Sequence, residues 1–388
     1  MATGEFTAKI RPSVGSIEQS QWDALAGSDN PFTSHAFLTA LEDSGSVGPG
    51  TGWQSAPLVI ESEDGRLLAA LPGYLKGHSQ GEYVFDHGWA DAWQRAGGDY
   101  YPKYQICAPF TPATGPRLLL SDPLFAPPLL RAAEQLVAVN GWSSAHATFV
   151  EPSQEQAFEK AGWLKRNDIQ FHWENRGYAS FEDFLAQLSS RRRKVLRKER
   201  EAANEGVEIR ALSGDQIRPE HWDAFWIFYQ DTGARKWGTP YLTREAFDLL
   251  GEKMGDKLLL MLAFDDGHPI AGALNMIGGE ALYGRYWGCT VDKPFLHFEL
   301  CYYRAIDEAI ARANALPYAL AAYAFTRDLA LAHRLSTELQ AGMVGINHFG
   351  VSQPETPFGG TRDSGMGSES GLEGLLGYTD VKFVSVAA

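Results

Sequence analysis

Cysteine is scarce in this 388-residue chain: Cys107, Cys289 and Cys301 form no CxxC pair and are odd in number. That speaks against a disulfide framework and suits a reducing compartment. The ten histidines include no HExxH spacing, so no structural metal is expected. Long apolar runs are missing too. No window approaches the roughly 18 residues that cross a bilayer, and no basic start leads into an apolar run, so neither a membrane span nor a leader is expected and the expected compartment is the cytoplasm. Positive charge is in deficit, 34 Lys and Arg against 48 Asp and Glu. The net −14 argues against duplex DNA or anionic lipid as partners, except where basic residues cluster. A GxSxG elbow is also absent, which removes the usual serine-hydrolase reading.

Hydrophobic residues at 44% and charged residues at 21% describe a chain that folds, and the length predicts two or three domains. A repeat organises the first three quarters. "LVIESEDGRLLAALPGYLK" (58–76) and "LMLAFDDGHPIAGALNMIG" (260–278) each read as strand, acidic-Gly turn and strand, the pattern of a β-hairpin. Upstream, "FLTALEDSG" (37–45) and "FWIFYQDTG" (225–233) carry apolar residues at helical spacing and end in a Gly suited to a C-cap. After the first hairpin come "EYVFDHGW", a strand-like "YQICAPF" and the helix "PLLRAAEQLVAVNG"; after the second, the strand "ALYGRYWGC" and the helix "FLHFELCYYRAIDEAIARA". The pattern predicts a duplicated α/β unit (α+β mixed) with mixed sheets.

These stretches, with "NPFTSHAFLTALEDSGSVGPGTGW", "GEYVFDHGWADAWQRAGGDYYPKYQ", "PFTPATGPRLL", "QFHWENRGYASFEDFLAQLSSRRRKVLRKERE" and "DTGARKWGTPYLT", make residues 10–306 resemble the bacterial N-acyltransferases related to the peptidoglycan-bridge, Fem-type aminoacyltransferases. The resemblance implies two tandem GNAT-type acyltransferase domains, at 1–165 and 166–308. It also implies an amine acceptor, no tightly bound cofactor, and acyl-coenzyme A or aminoacyl-tRNA as the donor. A GNAT fold seats a donor pyrophosphate at a helix N-terminus. Near Pro294 and Phe295 only Lys293 stands where a basic, glycine-rich loop is usual, which weighs against coenzyme A.

Transfer to an amine needs a base for the amine's proton and donors for the oxyanion. "FDHGWAD" offers Asp86 and His87. "FHWEN", read as a strand, puts His172 and Glu174 on one face as a base with a charge partner. Alternation in "YGRYWGC" points Tyr283 and Arg285 one way, as an oxyanion or carboxylate clamp. His297 and Glu299 open the next helix as substrate contacts or caps, and Lys236 and Trp237 join the polar set near the cleft. Each could equally be a satisfied core or capping residue. "RRRKVLRKER" stacks Arg191, Arg192, Arg193, Lys194, Arg197, Lys198 and Arg200 on one helix. The run is either a solvated face or a contact for the phosphates of tRNA or of a nucleotide-linked acceptor.

From Ala309 the character changes. "GMVGIN", "PFGG" and "SGMGSESG" make residues 309–388 resemble the C-terminal segment of aldehyde dehydrogenases of the succinate-semialdehyde type. The resemblance implies a pocket-mouth segment around Phe349, Pro357 and Phe358 and a last strand, "DVKFVSV", that pairs with a partner subunit. Aldehyde oxidation needs a thiolate, a base and a bound nicotinamide. No stretch resembles FxNxGQxC or ELGGK, and none reads as a dinucleotide-binding strand, turn and helix. The expectation is therefore a chimera rather than a competent NAD(P)-dependent dehydrogenase. It would be either an N-acyltransferase impaired by losing the last strands of its second domain, or a noncatalytic fusion whose tail associates with an aldehyde dehydrogenase. Ala305, Ile306, Ala309, Ile310 and Ala313 keep helical spacing across the join.

Overall fold

The computed structural model describes residues 6–84, 86–170, 172–175, 178, 180–235, 238, 240–314, 318–324, 341, 343–346, 350, 356–362, 364 and 369–370. Its contacts divide the chain into unit 1, Met1–Asp168 with Gly206–Asp292, and unit 2, Ile169–Glu205 with Lys293–Ala388. Unit 1 opens with β1 (Phe6–Ile10), α1 (Gln19–Ala26), α2 (His35–Asp43), β2 (Trp53–Ser55), β3 (Leu58–Ser62), β4 (Leu67–Leu71) and β5 (Gly73–Lys76). It continues with α3 (His87–Arg95), β6 (Lys103–Ile106), β7 (Leu119–Leu120), α4 (Ala126–Asn140), β8 (Ala145–Ala147) and α5 (Pro152–Lys160). The chain supplies α6 (Phe181–Ala186) and α7 (Ser190–Asn204) to unit 2, then returns with β9 (Val207–Leu212), α8 (Pro219–Arg235), α9 (Arg244–Met254), β10 (Leu258–Asp265), β11 (His268–Ile277) and β12 (Leu282–Cys289).

Both hairpins form, and the repeat is larger than its sequence trace. The run β1-α1-α2-β3-β4 recurs as β9-α8-α9-β10-β11. The matching sheets run β1-β3-β4-β7 and β9-β10-β11-β12 and are antiparallel throughout. One local expectation fails. Gly233 caps nothing, because α8 continues to Arg235, and the helix in the position of α2 is α9. At the end of "EYVFDHGW" the chain turns into α3. A third sheet, β2-β5-β6-β8, is mixed, with β8 parallel to β6.

The two copies share one core. Phe37 and Leu41 of α2 lie in the same buried cluster as Phe247 and Leu250 of α9. Thr243, the N-cap of α9, reaches across to the end of α2, its Oγ1 donating to the Ser44 carbonyl at 3.1 Å and its N–H to Ser46 Oγ at 3.1 Å. β12 packs so closely on α8 that a Cβ on Gly288 would fall 2.0 Å from the Phe228 carbonyl oxygen. Backbone cannot yield as a side-chain tip can. Gly288→Ala is therefore expected to cost about 1–3 kcal/mol in urea unfolding, and an unchanged midpoint would contradict this packing.

Unit 2 has its own small core of Tyr178, Phe181, Leu185, Leu196, Tyr303 and Ile306. α10 (Leu296–Phe298), a π-turn (Glu299–Tyr303) and α11 (Arg304–Asn314) follow one another without a break. Arg200 of α7 grips Glu299 with two bonds, 3.0 and 2.9 Å, and Asp307 with a third at 2.7 Å. Further on, β13 (Tyr318–Ala319) pairs antiparallel with Thr361–Arg362, and Ala321–Ala324 pairs parallel with Met343–Ile346. Phe349 and "DVKFVSV" lie outside the described residues.

Candidate active site

One face of the β2-β5-β6-β8 sheet is polar. Strand register pairs Trp53 with Lys76, Ser55 with Tyr74, Tyr74 with Gln105, Lys76 with Lys103, and Gln105 with His146. Paired residues share a face of the pleat, so these side chains stand together on a surface that a buried sheet would ordinarily make apolar. Two lysines directly opposite each other repel. They are held by the segment leading into α3, which lays carboxylates over them. Lys103 Nζ, fully buried, donates to Ser79 Oγ at 2.8 Å, Glu82 Oε2 at 2.8 Å and Asp86 Oδ2 at 2.6 Å.

Lys76 is less well served. Its Nζ, also fully buried, lies 3.3 Å from the centre of the Trp53 ring, donates to the Gln80 carbonyl at 3.3 Å and stands 4.0 Å from Glu82 Oε1. Burial pulls its ammonium from the usual 10.5 down to about 7. The two carboxylates are pushed apart. Burial raises Glu82 above its ordinary value against the pull of Lys103. Burial would raise Asp86 too, but hydrogen bonds, led by that from Lys103, outweigh it and hold Asp86 low. Tyr100 donates to Asp86 Oδ2 at 2.9 Å. Four buried atoms in this cluster have no hydrogen-bond partner: Tyr74 Oη, Glu82 Oε1, Asp86 Oδ1 and Gln105 Oε1. Such orphans are few in native folds, and these four gather on one face.

A second concentration lies at the seam between the two copies. β12 bulges at Arg285, since Leu274 pairs with Tyr286 and Asn275 with Gly284. Tyr283 and Tyr286 both pack on the core, Arg285 is the unpaired residue, and Tyr283 and Arg285 both reach the Phe32 ring, at 5.1 and 5.8 Å. Arg285 donates to the Phe110 carbonyl, lies 4.9 Å from the Tyr286 ring and 5.8 Å from the Tyr83 ring, and leaves its Nε unpartnered. Tyr83 and Phe110 both hold positive φ, 57° and 55°, a conformation costly for aromatic residues and typical of functional loops. Tyr283 lines a nearby cleft of about 500 Å³ with Asp29, Asn30, Glu151, Gln154 and Glu280.

Of the residues expected from sequence, Asp86 belongs to the buried cluster, and His87 begins α3 exposed. His172 and Glu174 are exposed in a segment that forms no strand among its described residues, so the alternation that aligned them does not hold. His172 Nε2 meets Gln170 Oε1 at 3.2 Å instead. Lys236 and Trp237 lie outside the described residues. His297 is exposed, whereas Glu299 is fully buried and taken up by Arg200 and Arg304. The basic run divides. Arg193 holds the Ala186 and Leu188 carbonyls, Arg197 pairs with Glu182 and Arg200 with Glu299, while Arg191, Arg192, Lys194 and Lys198 are exposed. Sequence reading missed Lys76, Glu82 and Lys103. A lysine at one end of each of two otherwise uncharged strands, "GYLK" and "KYQI", was the available signal.

Two family models match the chain. The FemAB-like model, described as peptidoglycan biosynthesis/recognition, matches residues 13–317, and the aldehyde dehydrogenase family model matches residues 298–384. The matches overlap on α11, the helix whose spacing runs across the join. The arrangement is that of a FemAB-like domain followed by an aldehyde-dehydrogenase-like fragment. 4-(hydroxymethyl)benzenesulfonate dehydrogenase TsaD1 of Comamonas testosteroni is 48% identical over 84 residues, 22% of this chain and 18% of its own. HpcC from Thermus thermophilus is 53% identical over 19% of this chain and 15% of its own, with a TM-score of 0.18. Succinate-semialdehyde dehydrogenase from Burkholderia pseudomallei is 39% identical over 18% and 15%, also at 0.18. The chain thus spans less than a fifth of the length of these relatives, all of them matched in part only.

Proposed function

The chain belongs to the FemAB-like family, and we propose that it transfers an acyl or aminoacyl group to an amine. The observation that carries the reading is the polar sheet face, where Glu82 and Asp86 are pushed in opposite directions beside a buried amine held near neutrality. Opposed carboxylates are how one site both takes and gives a proton, and an amine acceptor must lose one as its new bond forms. The cleft lined by Asp29, Glu151 and Glu280 suits an acceptor that arrives as an ammonium. We read the two copies as tandem GNAT-type domains, and the exposed Arg191, Arg192, Lys194 and Lys198 as the side of α7 available to donor phosphates. The tail adds no thiolate in an FxNxGQxC setting, and we read it as an association element rather than a second active site.

The test is to give the purified protein labelled aminoacyl-tRNA and labelled acyl-coenzyme A separately, each with primary amines. Label is expected to move from aminoacyl-tRNA to the amine. Retention of label on both donors would sink the reading. Production of NAD(P)H from succinic semialdehyde would overturn the noncatalytic reading of the tail.

A further inference from the structure

The polar face is sealed at one end and open at the other. Lys76, Lys103 and Gln105 have no exposed surface, whereas Ser144 and His146, on and just before β8, are half-buried. Register with Gln105 puts His146 on the polar face, and Ser144, two residues earlier on the same strand side, joins it. Ser144 Oγ lies 2.7 Å from His146 Nε2, with Ser143 Oγ 3.1 Å away on its other side. We propose that Ser144, with His146 as its base, is an acyl-carrying nucleophile at the open end of this face, acting on activated esters and thioesters.

The arrangement sets a hydroxyl within hydrogen-bond reach of a base, the pair such a nucleophile starts from. With the hydroxyl donating, Nε2 accepts and the ring proton sits on Nδ1. Burial first, and then Lys103, holds the imidazole down to about 4 against the opposing pull of Asp86, so at neutral pH it is unprotonated and its Nε2 lone pair faces the hydroxyl. Tyr100, edge-on to the His146 ring at 6.1 Å, is itself tied to Asp86, and its carbonyl accepts from Ser143 Oγ at 2.6 Å. The groups facing the dyad are therefore Tyr100, Gln105, Ser143 and, through their charge, Lys103 and Asp86.

In the step proposed, Oγ attacks the donor carbonyl carbon while Nε2 takes the hydroxyl proton. The Oγ–acyl bond forms, the donor's ester or thioester bond breaks, and the departing alcohol or thiol takes the proton from the imidazolium. An amine then attacks the acyl-serine and gives its proton to Nε2, and Oγ leaves with that proton restored. The donor rests on the acyl-transfer reading above, but the nucleophile can be probed without it.

p-Nitrophenyl acetate is the probe. The full chain is expected to release a burst of one nitrophenolate per chain and to carry one acetyl group on the peptide containing Ser144. Ser144→Ala should abolish both, and His146→Gln should slow the burst about 100-fold. The burst rate should be flat across neutral pH and fall in acid as the imidazole takes a proton. Ser144→Cys guards against a misfolded alanine variant, because it should be acetylated at the same position as a hydroxylamine-sensitive thioester. Acetylation confined to lysines, or an unaltered burst in Ser144→Ala, overturns the proposal. Undiminished label transfer from aminoacyl-tRNA by Ser144→Ala also overturns it while leaving the acyl-transfer reading intact. Acetylated Ser144 in a protein that spares both natural donors does the reverse.

Discussion

Replacing Lys103 with methionine is expected to cost the fold about 3–5 kcal/mol, the range for stranding a buried charge by deleting its partner. Lys103 is the only cation within hydrogen-bond reach of both Glu82 Oε2 and Asp86 Oδ2 among the described residues, and neither carboxylate has appreciable solvent. Without it Glu82 keeps only Lys76 at 4.0 Å, and Asp86 keeps the Tyr100 hydroxyl. Both acids would then be easier to protonate in the folded state than in the unfolded chain, so the variant should lose stability as pH rises above the carboxylate range. Adding Glu82→Gln and Asp86→Asn should recover much of the loss, since a face stripped of all its charges strands none. Urea unfolding at several pH values separates the outcomes. A loss below about 1 kcal/mol would mean that water reaches the cluster and that it is an ordinary surface pair.

How legible was this in the amino acids? The hairpins were, because "EDG" and "DDG" between apolar runs leave the chain little alternative. The full repeat was not. Equivalence between α2 and α9 rests on position in a shared core, while the similar "DSG" and "DTG" signals fall on α2 and α8. Asp86 was found through its motif, but its partners come from β6 and from the turn after β5, and cross-strand register is set by hydrogen bonding that no local pattern displays. The bulge at Arg285 was hidden for a similar reason. Period-2 counting assumes an unbroken ladder, and an extra residue shows only in the register. The His172 and Glu174 pairing assumed a strand that is not there among the described residues. The chimera, by contrast, was written openly in "GMVGIN" and "SGMGSESG", and the two family matches bear it out.

Lys76→Met should do the opposite of Lys103→Met and stabilise the protein at pH 7. In the unfolded chain this ammonium has its ordinary value of 10.5, and in the fold burial lowers it to about 7. A depressed lysine is a penalty below its folded value and is relieved as pH rises, because the unfolded chain holds the extra proton between the two values. Wild-type stability should therefore climb from pH 7 toward pH 10, by about 3–4 kcal/mol from this group alone. Glu82 and Asp86, which favour the charged form, and Lys103, which opposes it, are already counted in that balance. Methionine fills the same space on the Trp53 ring and carries no proton. It gives up a 3.3 Å bond to the Gln80 carbonyl, worth about 1 kcal/mol, against a larger desolvation cost removed. The variant should melt higher than wild type at pH 7, with the gap closing toward pH 10 as the lysine becomes neutral. Parallel melting curves at both pH values, or a variant that melts lower at pH 7, would show that Lys76 is charged and well solvated by partners the fold does not display. The case for a proton-handling face in unit 1 would then fall back on Glu82 and Asp86 alone.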